Sequence, residues 1–321
     1  MNDARIEALT ELPADTAQAV LDLIEEAAAE DGQPAVSEQG RLHVRRGARQ
    51  GVRHLLVYAP GSDTVGVHSA AELADDADEI LVGYGQIDGT DPVEAPSAEL
   101  VVHPGHRSRG HGRTLGEALL AATGKRLRVW AHGGHPAARH LAVQLGLKLF
   151  RELQQLRRPL TSGAGQDLPE PRLPDGVTVR TFVPGEDDRA WLAVNAAAFA
   201  HHPEQGGLTQ RDLDDREAEP WFDPEGFFLA FRGADLVGFH WTKVHPVAEI
   251  GEVYVLGVAP AEQGSGLGRA LTAIGLRHLA EDRGLPTAML YVDADNAAAV
   301  AVYHRIGFTL HETDLMYRTE N

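Results

Sequence analysis

The 321 residues are 43% hydrophobic and 24% charged, the balance of a folded chain with room for two domains of ~150 residues, which excludes a disordered or fibrous protein. With 47 Asp and Glu against 29 Lys and Arg, the formal charge of -18 argues against nucleic acid or an anionic membrane as partner. Cysteine is absent, which excludes a disulfide framework, a thiolate metal site and a cysteine nucleophile.

The opening residues carry acids and no continuous apolar core, so they do not read as a secretory signal. No apolar run reaches the ~20 residues that would span a bilayer, and a cytoplasmic location is expected. Further along, His54 to Ala59 and Leu81 to Ile87 predict a strand pair, and the acidic run Ala70 to Glu79 between them reads as a solvated loop or helix face. Ala98-Glu-Leu-Val-Val-His-Pro104 predicts a strand ending in a proline turn, followed by the loop Arg107-Ser-Arg-Gly-His-Gly112 and a helix over Arg113 to Thr123. Leu127 to Ala131 predicts a strand, and the helix after it stops at Gly146-Leu147. Arg157 to Gly176 is rich in Pro, Gly and polar residues and reads as a linker.

The order then repeats. Strands are predicted over Phe227 to Arg232, Leu236 to Val244 and Tyr254-Val-Leu-Gly-Val-Ala-Pro260, then the loop Gln263-Gly-Ser-Gly-Leu-Gly268 and a helix over Arg269 to Arg283. Thr287 to Val292 predicts a strand, and a helix runs from Asn296 to Gly307-Phe308. Pro104 and Pro260 are 156 positions apart, as are Gly112 and Gly268. The expected organisation is therefore α/β (mixed α+β): a domain over 1–156, a linker over 157–176 and a domain over 177–321, each a central mixed sheet flanked by helices.

A strand, a glycine loop and a helix N-terminus together offer unobstructed backbone N–H groups, which suit a pyrophosphate. Glycines at such a turn are by themselves more often turn residues. The dinucleotide fingerprint fails, because its third glycine falls on Arg269 or Leu115, and neither loop is followed by a phosphate-binding lysine. Both loops resemble the [QR]-x-x-G-x-[GA] signature of the GNAT acetyltransferase superfamily. That resemblance implies two tandem GNAT-type domains and acetyl-CoA as co-substrate. It implies CoA contacts from Leu256, Gly257 and Val258, then Gln263, Gly264, Ser265, Gly266, Leu267, Gly268 and Arg269. In the first copy the matching residues are Leu100, Val101 and Val102, then Arg107, Ser108, Arg109, Gly110, His111 and Gly112. Gly264-Ser265 stands where many members carry basic residues, so affinity leans on the backbone amides.

Aminolysis of a thioester needs a base for the ammonium and a donor for the departing thiolate. In the last helix Asn296 is a capping residue and Gly307 a stop, and Asn296, Ala299, Val300 and Tyr303 share a face. With Ala297, Ala298 and Ala301, this small-residue stretch lets CoA approach closely, and the resemblance gives Tyr303 the role of donor to the CoA sulfur. Period-2 alternation places Glu252, Tyr254 and Leu256 on one face, with Glu252 the candidate base. The first copy has Pro96 at the position of Glu252, Ala142 at that of Tyr303 and His135 at that of Asn296, so its CoA loop is kept and its catalytic residues are lost. A lone strand Glu is usually solvated and a lone helix Tyr usually core; their joint occurrence in one copy favours the functional reading. His201-His202 and His132-x-x-His135 read as ordinary polar residues, and no metal is expected.

Longer segments resemble one family within the superfamily, the mycothiol synthases, which are tandem GNAT proteins of actinobacteria. They are His202-Pro-Glu-Gln-Gly-Gly207, Trp221-Phe-Asp-Pro-Glu-Gly226, Gly238-Phe-His-Trp-Thr-Lys-Val-His-Pro246, Gly251-Glu-Val-Tyr-Val-Leu-Gly-Val258, Ala98 to Pro104 and Trp130-Ala-His-Gly133. The resemblance covers essentially the full chain and implies transfer of acetyl to the cysteinyl amine of cysteinyl-glucosaminyl-inositol. It implies substrate contacts from Glu38, Glu204, Lys243, Glu252 and Tyr291. Two alternatives stay open: an acetyltransferase for another small-molecule or peptide amine, and a non-catalytic acyl-CoA sensor. A monomer is expected.

Overall fold

The computed structural model describes residues 4–61, 79–91, 93–161 and 167–320, and the side chains of 203 and 204 also lie outside the description. The acidic run Ala70 to Glu79 therefore falls almost wholly outside the described residues. The chain forms two compact units, Met1–Glu152 with Thr313–Asn321, and Leu153–Glu312.

In the first unit the strands are β1 (Arg5–Leu9), β2 (Val52–Pro60), β3 (Glu79–Asp88), β4 (Ser97–Val102) and β5 (Arg128–Ala131). The helices are α1 (Ala14–Asp31), α2 (Glu38–Arg45), α3 (His111–Ala122) and α4 (Pro136–Gln144). Alternation along β2 sends Leu56 to a core with α1 residues Val20, Leu23 and Ile24, while Leu55 and Val57 meet Leu115 and Leu119 of α3. Neighbouring strands pair antiparallel from β1 to β4, and β4 pairs parallel to β5. The last strand of the chain, β12 (Thr309–Arg318), pairs antiparallel with β5 through Leu315 to Arg318.

The second unit contains the greater part of β6 (Lys148–Pro159), then β7 (Val177–Thr181), β8 (Phe227–Arg232), β9 (Asp235–His245), β10 (Ile250–Val258) and β11 (Thr287–Asp293). Its helices are α5 (Asp188–Ala198), α6 (Pro203–Gly206), α7 (Gln210–Glu217), α8 (Leu267–Arg277) and α9 (Ala297–Arg305). The sheet order is β6-β11-β10-β9-β8-β7, with β10 and β11 parallel and the other pairs antiparallel. One face packs on α8 and α9 through Leu271, Leu276, Leu290 and Phe308. The other packs on α5 and α7 through Trp191, Leu213, Phe227 and Trp241.

The division differs from the one expected at 156 and 177. Leu153 to Pro159 pair with β11 from Asp293 to Thr287 and complete the second sheet, while Thr313–Asn321 returns to the first unit. The backbone groups along the β11 edge need partners and Leu153 to Pro159 supply them, so hydrogen bonding overrides the Pro-rich composition that suggested a linker from 157. Parts of the remaining segment are fastened to the second unit: Arg277 reaches Glu170 and the Pro169 carbonyl, and Arg232 donates to the Asp175 carbonyl.

Trp191 is fully buried, with ring centroids 5.7 Å from Phe227, 5.5 Å from Phe239 and 5.6 Å from Trp241. Trp191→Ala should cost about 3–5 kcal/mol of stability in the second unit. Urea unfolding followed by far-UV dichroism should show this as a lower midpoint for one transition.

Candidate active site

In the second unit β10 pairs with β11 only through Ile250 to Val253, opposite Thr287 to Leu290. It stays paired with β9 as far as Val258. From Tyr254 onward the edge of β10 that faces β11 carries no ladder, and the two strands diverge as a cleft. Leu256, Gly257 and Val258 lie along that cleft, so the predicted pantetheine-lining stretch is where backbone groups are available. The first unit has the same feature, since β4 pairs with β5 only at Ser97 and Ala98 and leaves Leu100, Val101 and Val102 beyond the contact.

The glycine loops sit at the mouths of these clefts. Gly264 and Gly266 have φ of 84° and 93°, and Gly266 is the N-cap of α8. A Cβ at either glycine would meet nothing within 4 Å, so the loop is open outward. The Ser265 amide donates to the Glu262 carbonyl and the Leu267 amide to Ser265 Oγ. The amides of Gly264, Gly266, Gly268 and Arg269 have no partner among the described residues, which fits a pyrophosphate at the N-terminus of an 11-residue helix. Gln263 ends the turn that follows Pro260. In the first unit Ser108 and Gly110 have φ of 60° and 92°, Gly110 caps α3, and His111 and Gly112 open that helix, with Arg109 beside them. The Arg107 guanidinium forks onto Asp31 at 2.6 and 2.8 Å and also bonds the Val102 carbonyl, so its charge is engaged within the protein.

Glu252 is 7% exposed on β10, opposite Lys243 of β9, and its Oε2 lies 2.7 Å from His245 Nε2. Lys243 is also buried, with Nζ 4.1 Å from the Trp221 ring centroid and 5.2 Å from that of Tyr254. The Tyr254 hydroxyl accepts from Arg216 Nε at 2.9 Å. Tyr303 is half-buried on α9 against Phe308, in the core that contains Val253 and Leu256, and burial raises its pKa above that of free tyrosine. Its hydroxyl takes no hydrogen bond among the described residues. Asn296 caps α9 by accepting from the Ala299 amide at 3.1 Å, and Ala297, Ala298, Ala299, Val300 and Ala301 form the first turns.

The expected single face of Glu252, Tyr254 and Leu256 does not form. The register of β10 on β9 slips between Val253 and Val255, leaving Tyr254 as a bulge. Val255 and Tyr254 join the α5 and α7 core on the side of Glu252, whereas Leu256 joins Val253 in the core under α8 and α9. The candidate base and the candidate donor therefore flank β10 from opposite faces.

Of the other predicted substrate residues, Tyr291 is partly exposed on β11 and its hydroxyl accepts from Gln155 Nε2 at 2.8 Å. Glu204 lies in the four-residue helix α6, its side chain outside the described residues. Glu38 opens α2 in the first unit. The structure adds His245 to the site, together with Trp221 beneath Lys243. The sequence signal for His245 was its position at the second residue after Lys243, diagonal to Glu252 across the hairpin.

The His132-x-x-His135 pair splits, and His135 caps α4 by accepting from the Ala137 amide. His132 joins a buried cluster that the sequence did not suggest: Nε2 donates to Glu99 at 2.7 Å and Nδ1 to Asp314 at 3.1 Å. Glu99 also accepts from the Ser37 amide, Ser37 Oγ and Gln86, and all of these groups belong to the first unit. Burial by itself would lower the His132 pKa, but the hydrogen bonds to Asp314 and Glu99 outweigh it and raise the value to about 10. His202 Nε2 sits 3.4 Å from Asp293 Oδ2.

Residues 195–308 match a family model described as Acetyltransferase (GNAT) family. A protein of Streptomyces avermitilis named "Mycothiol acetyltransferase" is 71% identical over 98% of this chain and 96% of its own. One from Streptomyces coelicolor with the same name is 70% identical over 98% and 95%. The chain belongs to the mycothiol acetyltransferase family. The fold has matching solved neighbours: a GCN5-related N-acetyltransferase from Sphaerobacter thermophilus (TM-score 0.62, 25% identity, covering 98% of this chain and 95% of that one) and a tandem GNAT protein from the clavulanic acid biosynthesis pathway (TM-score 0.65, 18% identity, 98% of each). Membership in the mycothiol acetyltransferase family thus extends over both units, whereas the GNAT model covers only part of the second.

Because the folded pKa of His132 lies above its unfolded value near 6.5, its contribution to stability is complete below pH 6.5 and is lost as pH rises through about 10. Urea midpoints for the first unit should fall between pH 6.5 and 10, and His132→Gln should flatten that dependence.

Proposed function

We propose that this chain is an acetyl-CoA-dependent N-acetyltransferase that acetylates the cysteinyl amine of cysteinyl-glucosaminyl-inositol, the last step of mycothiol biosynthesis, with the chemistry in the second unit. The observation that carries this reading is the 71% identity to a mycothiol acetyltransferase along 98% of the chain, with Glu252 and Tyr303 both present at the β10 cleft. The unpartnered amides at the start of α8 suit the pyrophosphate, and the free edge of β10 at Leu256, Gly257 and Val258 suits the pantetheine arm and the thioester carbonyl. Glu252 takes a proton from the ammonium on one face of β10, the neutral amine attacks the thioester in the cleft, and Tyr303 on the other face protonates the departing thiolate as the C–S bond breaks. The second proton that the nitrogen sheds as the amide forms balances the one Tyr303 gives up, which returns to its hydroxyl through water. These two groups supply the proton transfers, so no metal is assigned.

Lys243, Tyr291, Glu204 and Glu38 are assigned to the polyhydroxylated body of the acceptor, which an apolar pocket alone would not discriminate. In the first unit the CoA loop and cleft persist, but by strand register Ser97 stands at the position of the base, Ala142 stands at that of the donor, and the four hydrogen bonds on Glu99 leave that carboxylate no free site for a proton. We assign that unit a binding role without catalysis.

Purified protein with acetyl-CoA, assayed by loss of thioester, should prefer cysteinyl-glucosaminyl-inositol over cysteine, glucosamine and an aminoglycoside by about 100-fold or more in kcat/KM. Equal turnover of another amine would discard this substrate, and no turnover with any amine would favour an acyl-CoA sensor. Glu252→Gln should lower kcat by about 10² to 10⁴, and Tyr303→Phe by about 10² with little change in the KM for acetyl-CoA.

A further inference from the structure

Acetylation of an ammonium by a thioester gives an amide, a thiol and one net proton. That proton is deposited on Glu252 and has to leave before the next turnover, yet Glu252 is only 7% exposed. Lys243, its register partner, stands over two aromatic rings and is a hydrogen-bond donor only. The other contact of the carboxylate is His245, whose Nε2 is 2.7 Å from Glu252 Oε2. His245 is the last residue of β9, at the end of the hairpin, and its side chain is 32% exposed against 9% for that of Glu252. It is thus the one group described that both touches the buried carboxylate and reaches solvent.

We propose that His245 is the proton exit and positioning residue of the catalytic base, which rests on the reading of Glu252 as that base. The ammonium gives its proton to the Glu252 carboxylate, breaking an N–H bond and freeing the nitrogen lone pair for the thioester carbonyl. Once Glu252 carries the proton, the neutral imidazole in its Nδ1–H tautomer accepts it from Oε2 at Nε2. The imidazolium then releases the Nδ1 proton to water or buffer, which leaves Nε2–H donating to the carboxylate, and proton exchange of the exposed ring with water restores the Nδ1–H tautomer for the next transfer. Between turnovers the Nε2 contact holds the carboxylate on the acceptor face of β10, beside Lys243. The arrangement needs no oxidant, metal or further reactant.

The test compares wild type, His245→Ala, His245→Gln and Glu252→Gln in full-length protein under steady-state conditions, with and without added imidazole. His245→Ala should lose about 10-fold or more in kcat while the KM for acetyl-CoA changes by less than about 2-fold, because the CoA site is built from other residues. Imidazole should raise the kcat of His245→Ala, leaving Glu252→Gln unaffected. Glutamine preserves a hydrogen bond to the carboxylate but carries no proton through, so His245→Gln should be as slow as the alanine variant and also decides the matter should alanine fail to fold. Wild-type kcat in His245→Gln, or a slow His245→Ala that imidazole does not accelerate, would overturn the relay. Full turnover by Glu252→Gln would instead remove the base beneath it, so the two readings fail on different variants.

Discussion

The arrangement of the second unit depends on where β10 stops pairing with β11. Four residues, Ile250 to Val253, are held on both sides, and from Tyr254 onward only β9 holds the strand. A buried backbone group without a partner is costly, so a strand edge left open in this way is kept either for water or for a ligand that replaces the missing ladder. The bulge at Tyr254 falls at that same point. It turns Tyr254 and Val255 toward α5 and α7 and Leu256 toward α8 and α9, so that groups of different chemistry stand on the two sides of one strand.

Packing around the cleft explains why the polar groups can be held there. A stacked and edge-on aromatic cluster of Trp191, Phe227, Phe239 and Trp241 fills the α5 face, and Trp221 and Tyr254 extend it under the Lys243 ammonium. These rigid rings fix the β9 side of the hairpin, and hence the register that brings Lys243 opposite Glu252 and His245 within hydrogen-bonding distance of it. On the other face α8 approaches closely: a Cβ at Gly275 would fall 2.0 Å from the His240 ring, which is buried, donates from Nδ1 to the Leu271 carbonyl and has its pKa lowered to about 4 by burial. The glycine is required because the ring and the helix backbone occupy adjoining space.

The first unit keeps the same frame with a different interior. Its carboxylate at the diverging strand, Glu99, is bound by Ser37, Gln86 and His132, and His132 is bound in turn by Asp314. The fixed offset of 156 pointed to Pro96, but the one-residue bulge in β10 has no counterpart in β4, so by strand register Ser97 stands where Glu252 does and Glu99 where Val255 does. An imidazolium held by two carboxylates is a structural joint, and its charge lasts only while both acids are present.

Local chemistry in the sequence determined the strands and loops around both clefts, since apolar runs, a turn proline and glycines at helix starts act within a few residues of themselves. The superfamily was legible there as well, in the spacing of the glycine motifs, and Glu252 and Tyr303 entered as candidates through the family resemblance. Tertiary structure decided what depends on partners far apart in the chain. Pairing with β11 turned Arg157 to Pro159 from linker into strand, and the final residues joined the first unit through β5. The bulge reversed the face of Leu256, and the side chains that meet across strands brought His245 to Glu252 and Asp314 to His132. Alternation carries no mark of where a ladder will slip, and a histidine carries no mark of which carboxylate folding will set beside it; both are fixed only when the strands pair.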